Sequence, residues 1–238
     1  MAVGAQSYRT FGTAAQFVVL PDHQAVDLPE GVSDELGACL GIPGITAHRC
    51  VFGDGPVRDR VVLVHGLLGA VASTAAALAR RGGARVIGTV RRSSDVAGAR
   101  ELADHVVPLD DEPASRIADL APAGVDWVVE VALAANLELN RLVLGRHGGI
   151  SAYASDRPEV VLPFWPMLFE NLSLRLVGSD DFTPAQREAA VADLTAAAAE
   201  GWLRPRIAEP VPLECCAEAH DRVAAGSRER QLLRVTEG

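Results

Sequence analysis

The chain has 238 residues, of which 49% are hydrophobic, and a formal net charge of −9 at pH 7. It is long enough to bury the core of one large domain or two small ones, so a globular protein is expected. The acidic balance argues against nucleic acid as a partner. All 22 basic residues are arginine. The absence of lysine excludes a phosphate-loop lysine, a Schiff-base lysine and the Tyr-x-x-x-Lys pair of short-chain dehydrogenases.

The cysteines and histidines show neither a metal pattern nor a disulfide pattern. The four cysteines are Cys39, Cys50, Cys215 and Cys216. They lack CxxC spacing and a disulfide framework, so we expect reduced thiols that are buried as small apolar side chains. No group of cysteines and histidines has the spacing of zinc ligands, and we predict no metal site.

No targeting or membrane segment is expected. The start of the chain lacks the charged-then-apolar pattern of a secretion signal, which predicts a cytoplasmic location. Residues 61–79 are apolar and long enough to resemble a membrane span. Glycines and a change from strand to helix period interrupt them, so we predict no membrane-spanning helix.

The first 52 residues are predicted to contain β-structure followed by two helices. Residues 17–21 and 26–33 are apolar runs broken by proline and glycine, which is typical of strands and turns. A helix is predicted over residues 33–40, with acidic residues in its first turn, and it should end at Gly41. A second helix is predicted over residues 46–52.

Residues 60–92 have the pattern of a strand, a tight turn, a helix and a second strand. The first strand, residues 61–64, is apolar on both faces, as a parallel strand covered by helices must be. Gly66 permits the tight turn, Gly69 lets backbone N–H groups approach a pyrophosphate, and Ala72 keeps the helix close to the strand. These elements have the spacing of a dinucleotide-binding unit, so the segment predicts a dinucleotide site.

The end of the second strand, residues 86–90, is expected to choose between the two pyridine nucleotides. A carboxylate there would hold the ribose hydroxyls of NAD, but none occurs before Asp95. Arg91, Arg92 and Ser93 stand there instead and can bind a 2′-phosphate, which predicts a preference for NADPH. The alternative interpretation is a solvated loop that happens to carry two arginines.

Strands and helices continue to alternate after this unit, which predicts a parallel sheet. The predicted strands are residues 106–107, 125–131, 149–153 and 172–177, and the predicted helices are residues 115–120, 136–144, 184–200 and 214–225. The strand at 172–177 alternates in polarity, as an edge strand would. Thr183 and Gln186 have the spacing of a capping box at the start of their helix.

Segments along nearly the whole chain resemble the quinone oxidoreductase branch of the medium-chain dehydrogenase/reductases. They are GTAAQFVVLPDHQAVDLPEGVS, LGIPGITAHRCV, VVLVHGLLGAVASTAAALARRGGARVIGTV, GVDWVVEVALAANLELNRLVLGRHGGISAYAS and EPVPLECCAEAHDRVAAGSRERQLLRV. The resemblance implies an α/β fold, with a Rossmann-type doubly wound parallel sheet plus a partial GroES-like β-barrel domain. Residues 1–45, joined by 205–238, would be the remnant of the GroES-like domain, and residues 46–204 would form the Rossmann domain. Residues 4–20 are similar to the late part of that barrel, so its first strands are expected to be missing.

The resemblance also implies which residues meet the cofactor. These are Thr46, Gly66, Gly69, Ala70, Val71, Ala72, Arg91, Arg92, Ser93, Val131, Tyr153 and Ala154. Thr46 resembles a family threonine near the nicotinamide, and a buried threonine that caps its helix is the alternative. The Cβ of Ala70 could crowd the phosphate. Tyr153 borders the nicotinamide in one interpretation and is a packing aromatic in the other.

The activity implied by the resemblance is hydride transfer from NADPH to a quinone or a conjugated enone, without zinc. No catalytic residue is assigned, and His65 is predicted to have a structural role. One alternative is a module that binds NADPH without turning over a substrate. Another is an AdoMet-dependent methyltransferase, which the basic strand end disfavours. The resemblance further implies a homodimer that joins at residues 172–177.

Overall fold

The computed structural model describes residues 1–5, 10 and 12–235. The chain folds as two compact units. Residues 46–178 form one, here called the sheet unit, and residues 1–45 and 179–238 form the other, here called the terminal unit. Residues 179–204, which the sequence prediction placed in the nucleotide-binding domain, fall in the terminal unit.

The sheet unit is built on six parallel strands. They are β1 (Val61–Val64), β2 (Arg85–Val90), β3 (His105–Pro108), β4 (Val125–Glu130), β5 (Leu144–Ala152) and β6 (Ser173–Leu176). Their order in the sheet is β3-β2-β1-β4-β5-β6, so the chain builds outward from β1 on one side and then on the other. The predicted doubly wound parallel sheet is confirmed, with β6 at an edge.

The described residues also form helices in both units. They are α1 (Asp34–Phe52), α2 (Ala70–Arg81), α3 (Val96–Ala99), α4 (Pro113–Leu120), α5 (Leu133–Val143), α6 (Phe164–Phe169), α7 (Pro184–Ala199) and α8 (Cys216–Ala224). The sequence analysis missed α3 and α6. With four and six residues, they are too short to show a helical period.

Apolar side chains on the central strands form the core of the sheet unit. Leu63, Ile87 and Val128, from three neighbouring strands, are all fully buried. The buried face of α2 consists mostly of alanine, which lets the helix approach β1 and β2 closely. The turn between β1 and α2 is therefore fixed at both of its ends, because β1 is packed in the core and α2 is packed against the sheet.

The prediction of β-structure in residues 17–33 is wrong. The described structure there consists of a short 3₁₀ turn, Asp22–Gln24, an isolated bridge between Ala25 and Ala2, and a turn at residues 30–31, so only the predicted turns form. Phe17 is 92% exposed, so its apolar side chain has no partner strand to cover it. Of the segment 4–20 that resembles a barrel, residues 6–9 and 11 lie outside the described residues.

The break predicted at Gly41 is confirmed. Helix α1 has non-helical backbone angles at Gly41, which divide it into two helical segments. The second segment continues to Phe52, in agreement with the helix predicted over residues 46–52. Pro43, which lacks an N–H donor, is tolerated because it stands in the first turn after the break.

The terminal unit contains α7, α8 and a short parallel pair, β7 (Val211–Pro212) with β8 (Leu233–Arg234). The capping box at Thr183 is confirmed, because both of its hydrogen bonds with Gln186 form.

The four cysteines are free thiols. Cys39 and Cys50 are buried as predicted, but Cys215 and Cys216 are exposed, so the prediction is wrong for that pair.

Candidate functional site

Most of the predicted site residues of the sheet unit follow the carboxyl ends of four strands, β1, β2, β4 and β5. The strands β1 and β4 lie at the centre of this set. These strands are neighbours, and the loops that follow them lead to opposite halves of the sheet. Because strand order reverses at this point, a crevice is expected outside the carboxyl ends of the two strands. Ligands of doubly wound sheets bind in such crevices.

The turn after β1 has a glycine in a left-handed conformation and a second glycine where space for a side chain is tight. Gly66 has φ +68°, and a Cβ there would lie 3.1 Å from the Val131 side chain, which follows β4. The Gly69 N–H donates to the Gly66 carbonyl at 2.7 Å, and a Cβ on Gly69 would lie 3.1 Å from that carbonyl. The positive φ of Gly66 agrees with its predicted role in the tight turn. The approach of a pyrophosphate at Gly69 stays a prediction.

The N-terminus of α2 points out of this turn without a side-chain cap. Its N-cap residue is Gly69, and its first turn contains no acidic residue. Ala70, Val71 and Ala72 are the first three helical residues, and their N–H groups have no acceptor within the helix. Ala72 is fully buried against the sheet, whereas Gly69 is exposed. The helix end therefore presents free amide donors and a partial positive charge to an anion.

The end of β2 carries the predicted basic residues. Arg91, Arg92 and Ser93 are all exposed. The sequence analysis missed a carboxylate that reaches this point, Asp110. The Ser93 hydroxyl donates to Asp110 Oδ1 at 2.8 Å, and the Ser93 N–H donates to the same carboxylate. These bonds from Ser93 and, to a smaller extent, the charge of Arg92 lower the pKa of Asp110.

The loops after β4 and β5 meet beside the turn. The Leu133 N–H donates to the Ala154 carbonyl at 3.3 Å, which joins the two loops. Tyr153 is half-buried, and burial raises the pKa of its phenol, so the group stays protonated and able to donate near neutral pH. The Val131 side chain lies beside Gly66, and its contact with a cofactor stays a prediction.

The N-terminus of α5 is closed by side chains, in contrast to that of α2. The Ala135 N–H donates to Asp156 Oδ1 at 2.9 Å, and the Ala134 N–H donates to Ser155 Oγ at 3.4 Å. Its amide donors are thus satisfied within the protein. An anion at this edge of the sheet would find open donors at α2 rather than at α5.

Thr46 is buried inside the second segment of α1. It lies within the helix, so it does not cap the helix start. Its placement near a nicotinamide stays a prediction.

A chain of buried polar side chains lies directly beneath the turn. Thr89, His65, Asn140 and Glu130 are each fully buried. His65 Nδ1 is 2.9 Å from Thr89 Oγ1, and His65 Nε2 is 2.7 Å from Asn140 Oδ1. The Asn140 amide donates to Glu130 Oε2 at 2.7 Å. The predicted structural role of His65 agrees with these bonds, but the sequence analysis missed its partners.

The sequence carried a signal for the Glu130 part of this network, although not for its link to His65. Glu130 follows the apolar residues 127–129 at the end of a strand, and Asn136 and Asn140 stand four positions apart, which places them on one face of a helix. In the structure both amides donate to the Glu130 carboxylate. A carboxylate at a buried strand end followed by two such amides indicates a satisfied internal network.

Neither a metal-ligand cluster nor a membrane span occurs within the described residues. No group of three or more His, Cys, Asp or Glu side chains there could hold a metal ion. Within the same part of the chain, no helix combines the length and the apolar character that crossing a bilayer requires.

Comparison with known proteins places this architecture in a family. The model of the zinc-binding dehydrogenase family matches residues 70–196. Quinone oxidoreductases of Pongo abelii and Homo sapiens are 31% and 30% identical over 224 residues. The match covers 91% of this chain and 67% of each of those proteins.

Solved structures show the same fold. The structure of AibC has a TM-score of 0.84 at 25% identity, over 95% of this chain and 63% of that one. A mycobacterial protein complexed with NADPH has a TM-score of 0.76 at 22% identity, over 90% of this chain and 68% of that one. The chain therefore spans about two thirds of the length of these proteins. It belongs to the medium-chain dehydrogenase/reductases, within their zinc-binding dehydrogenase family, and is similar to the quinone oxidoreductases of that family.

Proposed function

We propose that the chain is an NADPH-dependent oxidoreductase that reduces a quinone or a conjugated enone without zinc. The observation that carries the proposal is the uncapped N-terminus of α2 behind the Gly66 turn, beside two exposed arginines at the end of β2. The N–H groups of Ala70 and Val71 would hold the pyrophosphate, and Arg91 and Arg92 would hold the 2′-phosphate. Bound NADPH supplies the hydride, and the residues of this chain supply binding and orientation.

The preference for the phosphorylated nucleotide rests on the two arginines rather than on Ser93. The hydroxyl and N–H of Ser93 already donate to Asp110, so this residue has no donor left for a phosphate. The Asp110 carboxylate also repels a 2′-phosphate that approaches Arg92. We expect Arg91 and Arg92 to outweigh this single negative charge, because two guanidinium groups can each bind a phosphate with paired hydrogen bonds.

The acceptor class is supported by the relatives rather than by a pocket. The similar proteins of Pongo abelii and Homo sapiens are named quinone oxidoreductases. A conjugated acceptor delocalises the charge that forms on hydride addition, so it needs less help from a metal or an acid. The cytoplasmic location stays a prediction.

A dimer through the edge of the sheet is part of the proposal. Leu176 on β6 is 73% exposed, and Val161 and Trp165 nearby in the chain are 91% and 63% exposed. Pairing two β6 edges would satisfy their free backbone groups and cover apolar surface. Light scattering of the purified protein tests this: we expect the mass of two chains, and replacing Leu176 with Arg should shift it towards one chain. A wild-type protein that is monomeric at high concentration contradicts the dimer.

The function is tested by titration followed by turnover. Fluorescence or calorimetric titration should show NADPH binding more tightly than NADH. Addition of an ortho-quinone should then remove the nicotinamide absorbance of NADPH. Binding without oxidation would support the alternative of a nucleotide-binding module. No binding of either nucleotide at millimolar concentration would overturn the proposal, and binding of AdoMet instead would favour the methyltransferase.

A further inference from the structure

The buried polar chain beneath the turn continues to the backbone on both of its sides. At one end, the Gly66 N–H donates to Thr89 Oγ1 at 3.4 Å, and the Leu67 N–H donates to the Thr89 carbonyl at 2.9 Å. At the other end, the Ala132 N–H donates to Glu130 Oε1 at 2.6 Å. The chain therefore connects the turn after β1 with the turn after β4.

The hydrogen bonds indicate which groups of the buried polar chain donate and which accept. The Asn140 amide nitrogen faces Glu130, so its carbonyl oxygen faces His65 and must accept. His65 Nε2 therefore carries a proton, and in the neutral imidazole Nδ1 accepts from the Thr89 hydroxyl. The Thr89 oxygen still has a lone pair for the Gly66 N–H.

Glu130 is the acceptor at one end of this chain of hydrogen bonds. All of its close partners are donors: the amides of Asn136 and Asn140 and the Ala132 N–H. Such a set complements a carboxylate, which accepts only. His65 Nε2 also lies 3.6 Å from Glu130 Oε2. Burying these groups is tolerated because each has a partner, and removing one partner would leave the next group unpaired.

We infer that Thr89, His65, Asn140 and Glu130 position the turn that receives the pyrophosphate, with His65 held in its Nε2–H form. The inference rests on the proposed function, because it concerns dinucleotide binding. The Thr89 hydroxyl accepts a hydrogen bond from the Gly66 N–H, and the Glu130 carboxylate accepts one from the Ala132 N–H in the turn after β4. These are positioning residues, since they are buried away from any ligand. Their effect is to hold the open conformation of the turn before the nucleotide arrives.

The test compares Thr89→Val with Thr89→Ser. Valine has nearly the same shape as threonine but leaves the Gly66 N–H and His65 Nδ1 unpaired. Because the turn loses the hydrogen bond at Gly66, affinity for NADP⁺ should fall by about tenfold. Serine keeps the hydroxyl, so affinity should stay near the wild-type value. Ile117→Val serves as a control for lost stability, because Ile117 is fully buried in α4. It should lower the melting temperature without changing affinity.

A ligand series separates positioning from general damage. Adenosine 2′-phosphate lacks the pyrophosphate and would contact only the end of β2, so Thr89→Val should bind it as the wild type does. Equal loss for this ligand and for NADP⁺ would overturn the inference in favour of a structural role. Unchanged NADP⁺ affinity in Thr89→Val would also overturn it. A wild-type protein that binds no NADP⁺ would instead contradict the proposed function itself.

The histidine form can be measured without any variant or nucleotide. Nuclear magnetic resonance of the wild-type protein with nitrogen-15-labelled histidine should show a slowly exchanging proton on His65 Nε2. This measurement remains decisive if Thr89→Val does not fold. A proton on Nδ1, or a rapidly exchanging ring, would contradict the direction of the chain and overturn the inference.

Discussion

Two helices begin at the same edge of the sheet, and only one of them is open to a ligand. Helices α2 and α5 follow the neighbouring strands β1 and β4, so their N-termini have the same electrostatic character. Ser155 and Asp156 satisfy the amides of α5, whereas Gly69 leaves those of α2 without a side-chain cap. The difference shows that the anion site is defined by the donors that the fold leaves unsatisfied, and not by the helix dipole alone.

Capping the N-terminus of α2 should remove the difference between the two helix ends, and it should change the affinity for NADPH more than any other variant. Gly69 has the extended backbone of an ordinary N-cap, so Gly69→Asp can cap the helix as Asp156 caps α5. Its charge would also occupy the pyrophosphate position. We expect NADPH affinity to fall by more than about 30-fold, while a new cap partly offsets the crowding of the Gly66 carbonyl.

Gly69→Ala is the matched control for that experiment. It adds the same Cβ, 3.1 Å from the Gly66 carbonyl, but neither a cap nor a charge. It should therefore lose less affinity than the aspartate variant in the same fluorescence titration. Equal losses in the two variants would attribute the effect to crowding and contradict the role of the open amides.

Distorting the turn rather than capping it should have the next largest effect. Gly66→Ala forces a left-handed conformation on an alanine and places its Cβ against Val131. This strain, typically about 1–2 kcal/mol, is relieved by moving the turn, so NADPH affinity should fall by about tenfold. Calorimetric titration measures the loss.

Gly55→Ala controls for backbone strain in the same unit. Gly55 has φ +97°, and a Cβ added there would have no other atom within 4 Å. The variant should therefore lose stability like Gly66→Ala but keep its affinity for NADPH. If both variants lose affinity together, the effect of Gly66→Ala comes from general destabilisation.

The contrast between the two helices was only half predictable from the sequence. The open end of α2 was predictable, because Gly66 and Gly69 follow an apolar strand within a few residues. The closure of α5 was not, because Ser155 and Asp156 come from 21 positions further along the chain. Local patterns reveal turns, but they do not reveal which distant side chain will reach a helix end.

The same limit explains the other misses. The partners of His65 lie 24 and 75 positions away, so no local pattern joins Thr89, His65 and Asn140. The prediction of strands in residues 17–33 was wrong for a different reason. Apolar runs form strands only where a partner strand is present, and the described structure provides only the bridge at Ala25. The sheet was predictable because its buried strands are continuous apolar runs.

The nucleotide preference can sharpen the comparison, because it tests the second half of the proposed site. Replacing Arg91 and Arg92 with alanine should reduce the preference for NADPH over NADH by about tenfold, since each guanidinium contributes paired hydrogen bonds to a phosphate. Affinity for NADH should change little, because the pyrophosphate site at α2 stays intact. Parallel titrations with both nucleotides measure this.

Asp110→Asn should act in the opposite direction with a smaller effect. It removes the negative charge beside Arg92 and keeps the shape of the side chain, so NADPH affinity should rise a fewfold while NADH affinity stays the same. The rise should shrink at high salt, because Asp110 is exposed and its charge is screened. An Asp110→Asn protein that binds NADPH less tightly would show that Ser93 must be held by Asp110 for the loop to bind at all.

Removing a side-chain cap from the N-terminus of α5 should lower stability without changing nucleotide binding. This is the smallest expected effect on the site, and it directly checks the comparison between α2 and α5. Asp156→Ala removes one of the two acceptors of the Ala135 N–H, the other being the Ala132 carbonyl, so the free energy of unfolding should fall by at most about 1 kcal/mol, the usual effect of a lost N-cap. Glu130 still occupies the Ala132 N–H, so the end of α5 does not become a second anion site. Chemical denaturation should show the loss of stability, and NADPH titration should give the wild-type affinity and one nucleotide per chain. Weaker binding would show that the α5 cap shapes the crevice, and the two helix ends would then act as one site.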